Sequence, residues 1–160
     1  KGQGPHLGRV DEAIIKIMKK NRIARVITVD AAQKLEGEKS GSVAEGVGFA
    51  MGGIGQRELI ENMLLPRQIP LDSIVVKVGM TEAIAPMRKD IFNGLPKAQD
   101  YIKKAVKRAK KGQKVMIIGI GNSSGTGDNK KCVEPLEKIV EIIEKKAKEE
   151  ELKKKKKGWF

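Results

Sequence analysis

Eight polar residues fall where an α/β protein usually does its chemistry: His6, Asp30, Glu36, Glu38, Glu45, Glu82, Asn122 and Asp128. Asp30 follows the β-branched run IARVITV, and Asp128 closes GIGNSSGTGD, a glycine-rich loop after the apolar run KVMII. An acid that ends a strand stands at the carboxyl edge of the sheet, where open α/β folds gather their sites. Two carboxylates with one imidazole there can hold a divalent metal ion or move a proton in hydrolysis. Asp30, Asp128 and His6 are therefore the candidate catalytic set and, equally, the candidate metal ligands. Gly121, Asn122, Gly125, Glu38 and Glu82 are the candidate binding positions around them.

Each position also has a structural use. Asp30 can cap a turn at the strand end, and Asp128 can cap the helix that follows it. His6 is the only histidine, and a lone imidazole is readily structural or solvent-exposed. Glu36 and Glu38 flank Gly37 in the polar stretch QKLEGEKSG, where solvation is expected. Glu45 completes Ser42-Val-Ala-Glu45, which has capping-box spacing.

The glycine loop also invites comparison with phosphate cradles. It lacks the Lys-Ser/Thr pair of a P-loop, and Ser124 stands where G-x-G-x-x-G needs its third glycine. Asp128 would repel a phosphate at the next helix N-terminus. The loop is better suited to presenting Asn122 and Asp128 at the sheet edge.

The elements that must position these residues are legible from periodicity. Residues 9–20 carry Val10, Ala13, Ile14, Ile17 and Met18 at helical spacing, and residues 23–29 form a strand. The capping-box pattern at Ser42 predicts a helix, interrupted by Gly46, Gly48, Gly52 and Gly53, each costing about 1 kcal/mol there. Residues 56–65 predict another helix and 73–79 a strand. Residues 96–112 predict a helix with Pro96 in its first turn and Gly112 as its stop. Residues 114–120 form a third strand, and a last helix runs from about 133 into the lysines. Strands alternating with helices imply parallel βαβ units. The expected fold is α/β: a three-layer α/β/α sandwich with a small, mainly parallel sheet, phosphorylase/hydrolase-like. Residues 1–150 are expected to form one domain and 151–160 a basic tail.

Lysine and arginine outnumber aspartate and glutamate by 33 to 20, giving a net charge of +13. Five of the positive charges are the Lys153–Lys157 run, a pattern typical of a solvated tail. Aromatic residues are only 3% and form no cluster in the sequence, so nucleic acid ranks below a protein or peptide partner. The single Cys132 excludes an internal disulfide and any multi-cysteine metal site. No apolar run approaches the ~20 residues that cross a bilayer. Abundant charge with scarce Cys, His and aromatics matches proteins from hot environments. The opening KGQGPHLG resembles a loop that follows a strand, so the chain is expected to be the C-terminal part of a longer protein.

Two resemblances add to this. Gly119-Ile-Gly121-Asn122 followed by Asp128, and the V-D-A of VITVDAAQKLEGEKSGSVAEGVGF, resemble motifs of hydrogenase-maturation endopeptidases and spore-germination proteases. The resemblance implies that Asp30 and Asp128 bind a metal or act as catalytic carboxylates. In those families the G-x-G-N strand comes first; here it comes last. Either the order is permuted or the counterpart strand precedes Lys1, which would bring His6 near the acid's place. Over nearly its whole length, through GPHLGRVDEA, DAAQKLEGEKSGSVAEGVG and EAIAPM, the chain also resembles the C-terminal domain of an uncharacterised archaeal family. The longer members of that family imply a membrane-associated N-terminal portion.

The expected function is a hydrolase-like, metal-assisted, peptidase-like domain, with a divalent metal ion as candidate cofactor. The alternative is a non-catalytic regulatory module that binds a small anion or a partner. The expected partners are an unidentified protein or peptide and a second copy in a homo-oligomer. The expected location is the cytoplasm, or the cytoplasmic face of the membrane if the full-length chain is anchored.

Overall fold

A computed structural model describes residues 9–49, 56–120, 131 and 134–157. Four strands, β1 (Ile23–Gln33), β2 (Val43–Val47), β3 (Leu71–Val78) and β4 (Lys114–Gly119), form one sheet in the order β2-β3-β1-β4. β1 runs parallel to both neighbours, and β2 is antiparallel to β3. The helices are α1 (Val10–Lys20), α2 (Gln56–Leu64), a short α3 (Met80–Ala83), α4 (Lys89–Lys107) and α5 (Leu136–Lys157).

α1 and α2 cover one sheet face. Val26, Leu71 and Met116 lie side by side across the sheet and pack with Ile14, Ile60 and Leu64. α4 covers the other face, where Ile27, Ile74, Val76 and Val78 meet Ile91, Ala98 and Ala105. The chain is thus an α/β fold with helices on both sides of a small open sheet, mostly parallel. Each fully buried Ile contributes about 1.5–3 kcal/mol by leaving water, and Ile14, Ile27, Ile60 and Ile74 are all at most 2% exposed. α1 also complements its dipole, with Asp11 and Glu12 in the first turn and Lys19 and Lys20 in the last.

Three expectations are corrected. The segment opened by Ser42 is a strand. The Ser42 hydroxyl donates to the Lys39 carbonyl at 2.7 Å, and residues 43–47 pair with β3 instead of coiling. Sheet pairing satisfies the backbone there without the glycine penalty of a helix. α4 begins at Lys89, so Pro96 lies inside it. The burial of Ile91 and the docking of this first half offset the backbone hydrogen bond that proline removes. β1 runs on to Gln33, leaving Asp30 within the strand. The last helix runs into the lysines as expected, with α5 extending through Lys157.

One close approach ties the top of the sheet together. Gly41, at φ +80°, meets the first turns of α4, and a Cβ on Gly94 would stand 2.0 Å from the Gly41 carbonyl oxygen. Only glycine at both positions permits this contact. Among the described residues no helix is long and apolar enough to cross a membrane.

Candidate functional site

β1 outlasts its neighbour β4. Gly119 pairs with Val29, and the Ile120 N–H donates to the Val29 carbonyl at 2.9 Å. Among the described residues, Asp30 and the residues after it therefore have only β3 beside them. Asp30 lies beside Val75 in the parallel register, on the face that carries Val26, Leu71 and Met116. Its Oδ1 accepts a hydrogen bond from the Ala31 N–H at 2.7 Å. No cation among the described residues pairs with it. Burial pushes its carboxyl up to about 6, and the Ala31 N–H offsets this only in part.

Lys77 stands two residues further along β3, beside Ala32, on the same face as Asp30. Its ammonium is ion-paired with Glu38 Oε1, while Glu38 Oε2 accepts from the Leu35 N–H at 2.8 Å. The Lys77 ammonium, followed by the Leu35 N–H, holds the Glu38 carboxyl below the usual range. Beside this pair runs a second chain of polar groups. Lys34 Nζ donates to Ser40 Oγ at 2.8 Å, and Ser40 donates to Glu82 Oε2 at 2.6 Å. The same Glu82 oxygen accepts from the Gly79 N–H at 2.7 Å, and Arg88 Nη1 is 3.8 Å from Oε1. The Ser40 hydroxyl is the largest influence on Glu82, and its carboxyl is held low despite partial burial.

Glu38 and Glu82 are thus occupied in holding the 34–42 loop against the strand ends. Glu36 is exposed. Glu45 is on the other face, 2.5 Å from Arg108, which also reaches Asp72; Asp72 in turn meets Arg25 at 2.5 Å. That network braces the end of α4 against the sheet, with Asp72 buried beside a half-buried Arg25 and Arg108 reaching in from the surface. His6, Gly121, Asn122, Gly125 and Asp128 lie outside the described residues. Among the described residues no group of three or more His, Cys, Asp or Glu is arranged to hold a metal.

Lys34, Ser40, Lys77 and Arg25 were not among the sequence candidates. A signal existed for two of them. Lys77 interrupts the apolar run SIVVKVG, and Arg25 interrupts IARVITV. A charge inside a buried strand requires a partner. Glu38 and Asp72 are those partners.

Among the described carboxyls of this edge, Asp30 differs from Glu38 and Glu82. Glu38 and Glu82 are anchored by cations and hydrogen-bond donors and remain ionised. Asp30 is half-buried, has no cation paired with it among the described residues and is poised to exchange a proton near pH 6. Such a group can take a proton from water or return one to a leaving group.

No curated protein and no solved structure matches the chain. A family model described as "domain of unknown function (DUF1512), C-terminal" matches residues 1–127, and the chain belongs to that family.

Proposed function

We propose that this member of the DUF1512 C-terminal family is a hydrolase-like domain in which Asp30 transfers the proton. The observation that carries the proposal is its half-buried carboxyl, raised to about 6 and without a cationic partner among the described residues, where the central strand runs on past β4. At pH 7 it is mostly ionised. It can accept a proton from a water whose oxygen attacks a carbonyl, then give that proton to the leaving group. Lys77 and Glu38 form the neighbouring wall and are paired with each other, which leaves the Asp30 carboxyl outside their ion pair.

A peptidase-like, metal-assisted form of this site would add His6 and Asp128 to Asp30, with the metal polarising the carbonyl. The V-D-A and G-x-G-N resemblance supports it. An archaeal cell and a cytoplasmic setting, at the membrane face if the full chain is anchored, complete the proposal.

The test compares wild type and Asp30→Asn on a panel of chromogenic peptides and esters, with and without added divalent cations. Turnover that rises through pH 6 and is lost in Asp30→Asn is expected. Equal turnover in both proteins refutes catalysis by Asp30. Absent turnover in wild type, with a small anion or peptide bound equally by both proteins, favours the non-catalytic module instead.

A further inference from the structure

The strongest charge asymmetry of the molecule lies away from Asp30, along α4. Residues 89–114 hold nine Lys or Arg and two Asp, so this stretch supplies +7 of the net +13. Lys97, Asp100, Tyr101, Lys103, Lys104 and Lys107 line a groove of about 230 Å³. Tyr101, half-buried with one side packed on the core under α4, forms its aromatic element, with Lys97 Nζ 5.4 Å and Lys104 Nζ 5.6 Å from the ring centroid. The ring holds both ammonium groups in place by cation–π attraction, which lowers the ordering cost of using them on a ligand. Asp100 answers Lys103 at 3.6 Å. No carboxylate among the described residues pairs with Lys97, Lys104 or Lys107.

The geometry points to this groove as a binding surface for single-stranded nucleic acid, with Lys97, Lys104 and Lys107 gripping successive phosphates and Tyr101 offering a ring to a base. Uncompensated ammonium groups around an aromatic ring are the combination that binds an unpaired strand. A duplex keeps its bases stacked inside and would leave Tyr101 without a role. An anionic membrane fits less well. A helix that adsorbs to lipid inserts a free apolar face, whereas the apolar residues of α4 are spent on the sheet. None of the large exposed hydrophobic side chains lies on α4.

The test is fluorescence anisotropy of a labelled 12-nucleotide oligo-U with the 160-residue chain, across a salt series. Three phosphate contacts predict a log–log salt slope of about −2. The triple variant Lys97→Glu, Lys104→Glu, Lys107→Glu is expected to weaken binding at least tenfold and flatten the slope. A triple variant in the terminal run, Lys153→Glu, Lys154→Glu, Lys155→Glu, makes the same charge change and is expected to stay within about twofold. Circular dichroism checks folding, and the corresponding Lys→Gln set on α4 replaces the first variant if it unfolds. Tyr101→Leu is expected to weaken oligo-U binding by a larger factor than inorganic polyphosphate binding, which loses only the preorganisation of the two lysines. Equal losses in the two lysine sets overturn the proposal. So does tighter binding to a duplex of the same length, or to vesicles of anionic phospholipid, than to oligo-U.

Discussion

Replacing Asp30 by asparagine should make the protein more stable at neutral pH, and by an amount that depends on pH. The carboxyl rises from 3.8 to about 6 on folding, so the folded chain binds this proton more tightly than the unfolded chain does. At 1.36 kcal/mol per pKa unit, the penalty on the ionised form is at most about 3 kcal/mol. The side chain is partly solvated, and screening reduces the penalty to about 1–2 kcal/mol. Below pH 3.8 the carboxyl is protonated in both states and the penalty is absent. It enters as pH rises through 3.8, where the unfolded chain ionises first, and is complete above about 6. Asparagine has the shape of the protonated acid and keeps an oxygen for the Ala31 N–H. Urea unfolding of wild type and Asp30→Asn at pH 3.5, 5, 6.5 and 8 should therefore give no difference at the first pH. It should give a gain of about 1–2 kcal/mol at the last. A gain of the same size at every pH, or a loss at pH 8, would refute the assignment of a buried, unpaired carboxyl. Together with lost turnover, the gain would mark a site that gives up stability for chemistry.

Two further perturbations probe what holds this edge in place. Gly94→Ala would drive a methyl group to 2.0 Å from the Gly41 carbonyl oxygen. Thermal unfolding should show a loss of about 2 kcal/mol or more, from backbone displacement of the 34–42 loop; a neutral result would mean that this loop is not docked on α4. Asp72→Asn leaves Arg25 and Arg108 facing a neutral amide where the side chain is only 8% exposed. A cost of about 3 kcal/mol, barely reduced in 0.5 M salt, is expected in urea unfolding. A cost that vanishes with salt would place the pair in solvent.

Much of the sandwich was legible in advance, because hydrophobic periodicity is a local property. The stripe Val10, Ile14, Met18 and the run Val26-Ile27 each record which side of an element will be covered. The Ser42–Glu45 segment misled because its capping-box spacing is also local. Its fate was decided by the exposed edge of β3, which is remote in sequence and offers hydrogen bonds that a glycine-broken helix cannot match. Pro96 misled in the same way, since packing of residues 89–95 carried the helix through it.

For the site, the sequence by itself determined that Asp30 would stand near the carboxyl end of a strand, next to a polar segment of glycine and acids; that the strand is an inner one came from the sheet order. A lysine and an arginine inside apolar strands also signalled a need for partners, though neither residue was among the candidates. Only the tertiary structure decided which carboxylates those partners would be. Glu38 and Glu82 are held by Lys77, Ser40 and backbone N–H groups, while no cation among the described residues pairs with Asp30. The physical reason is that a proton affinity depends on burial and on charges brought together by the strand register and by the Gly41–Gly94 contact. Residues far apart in the chain make both.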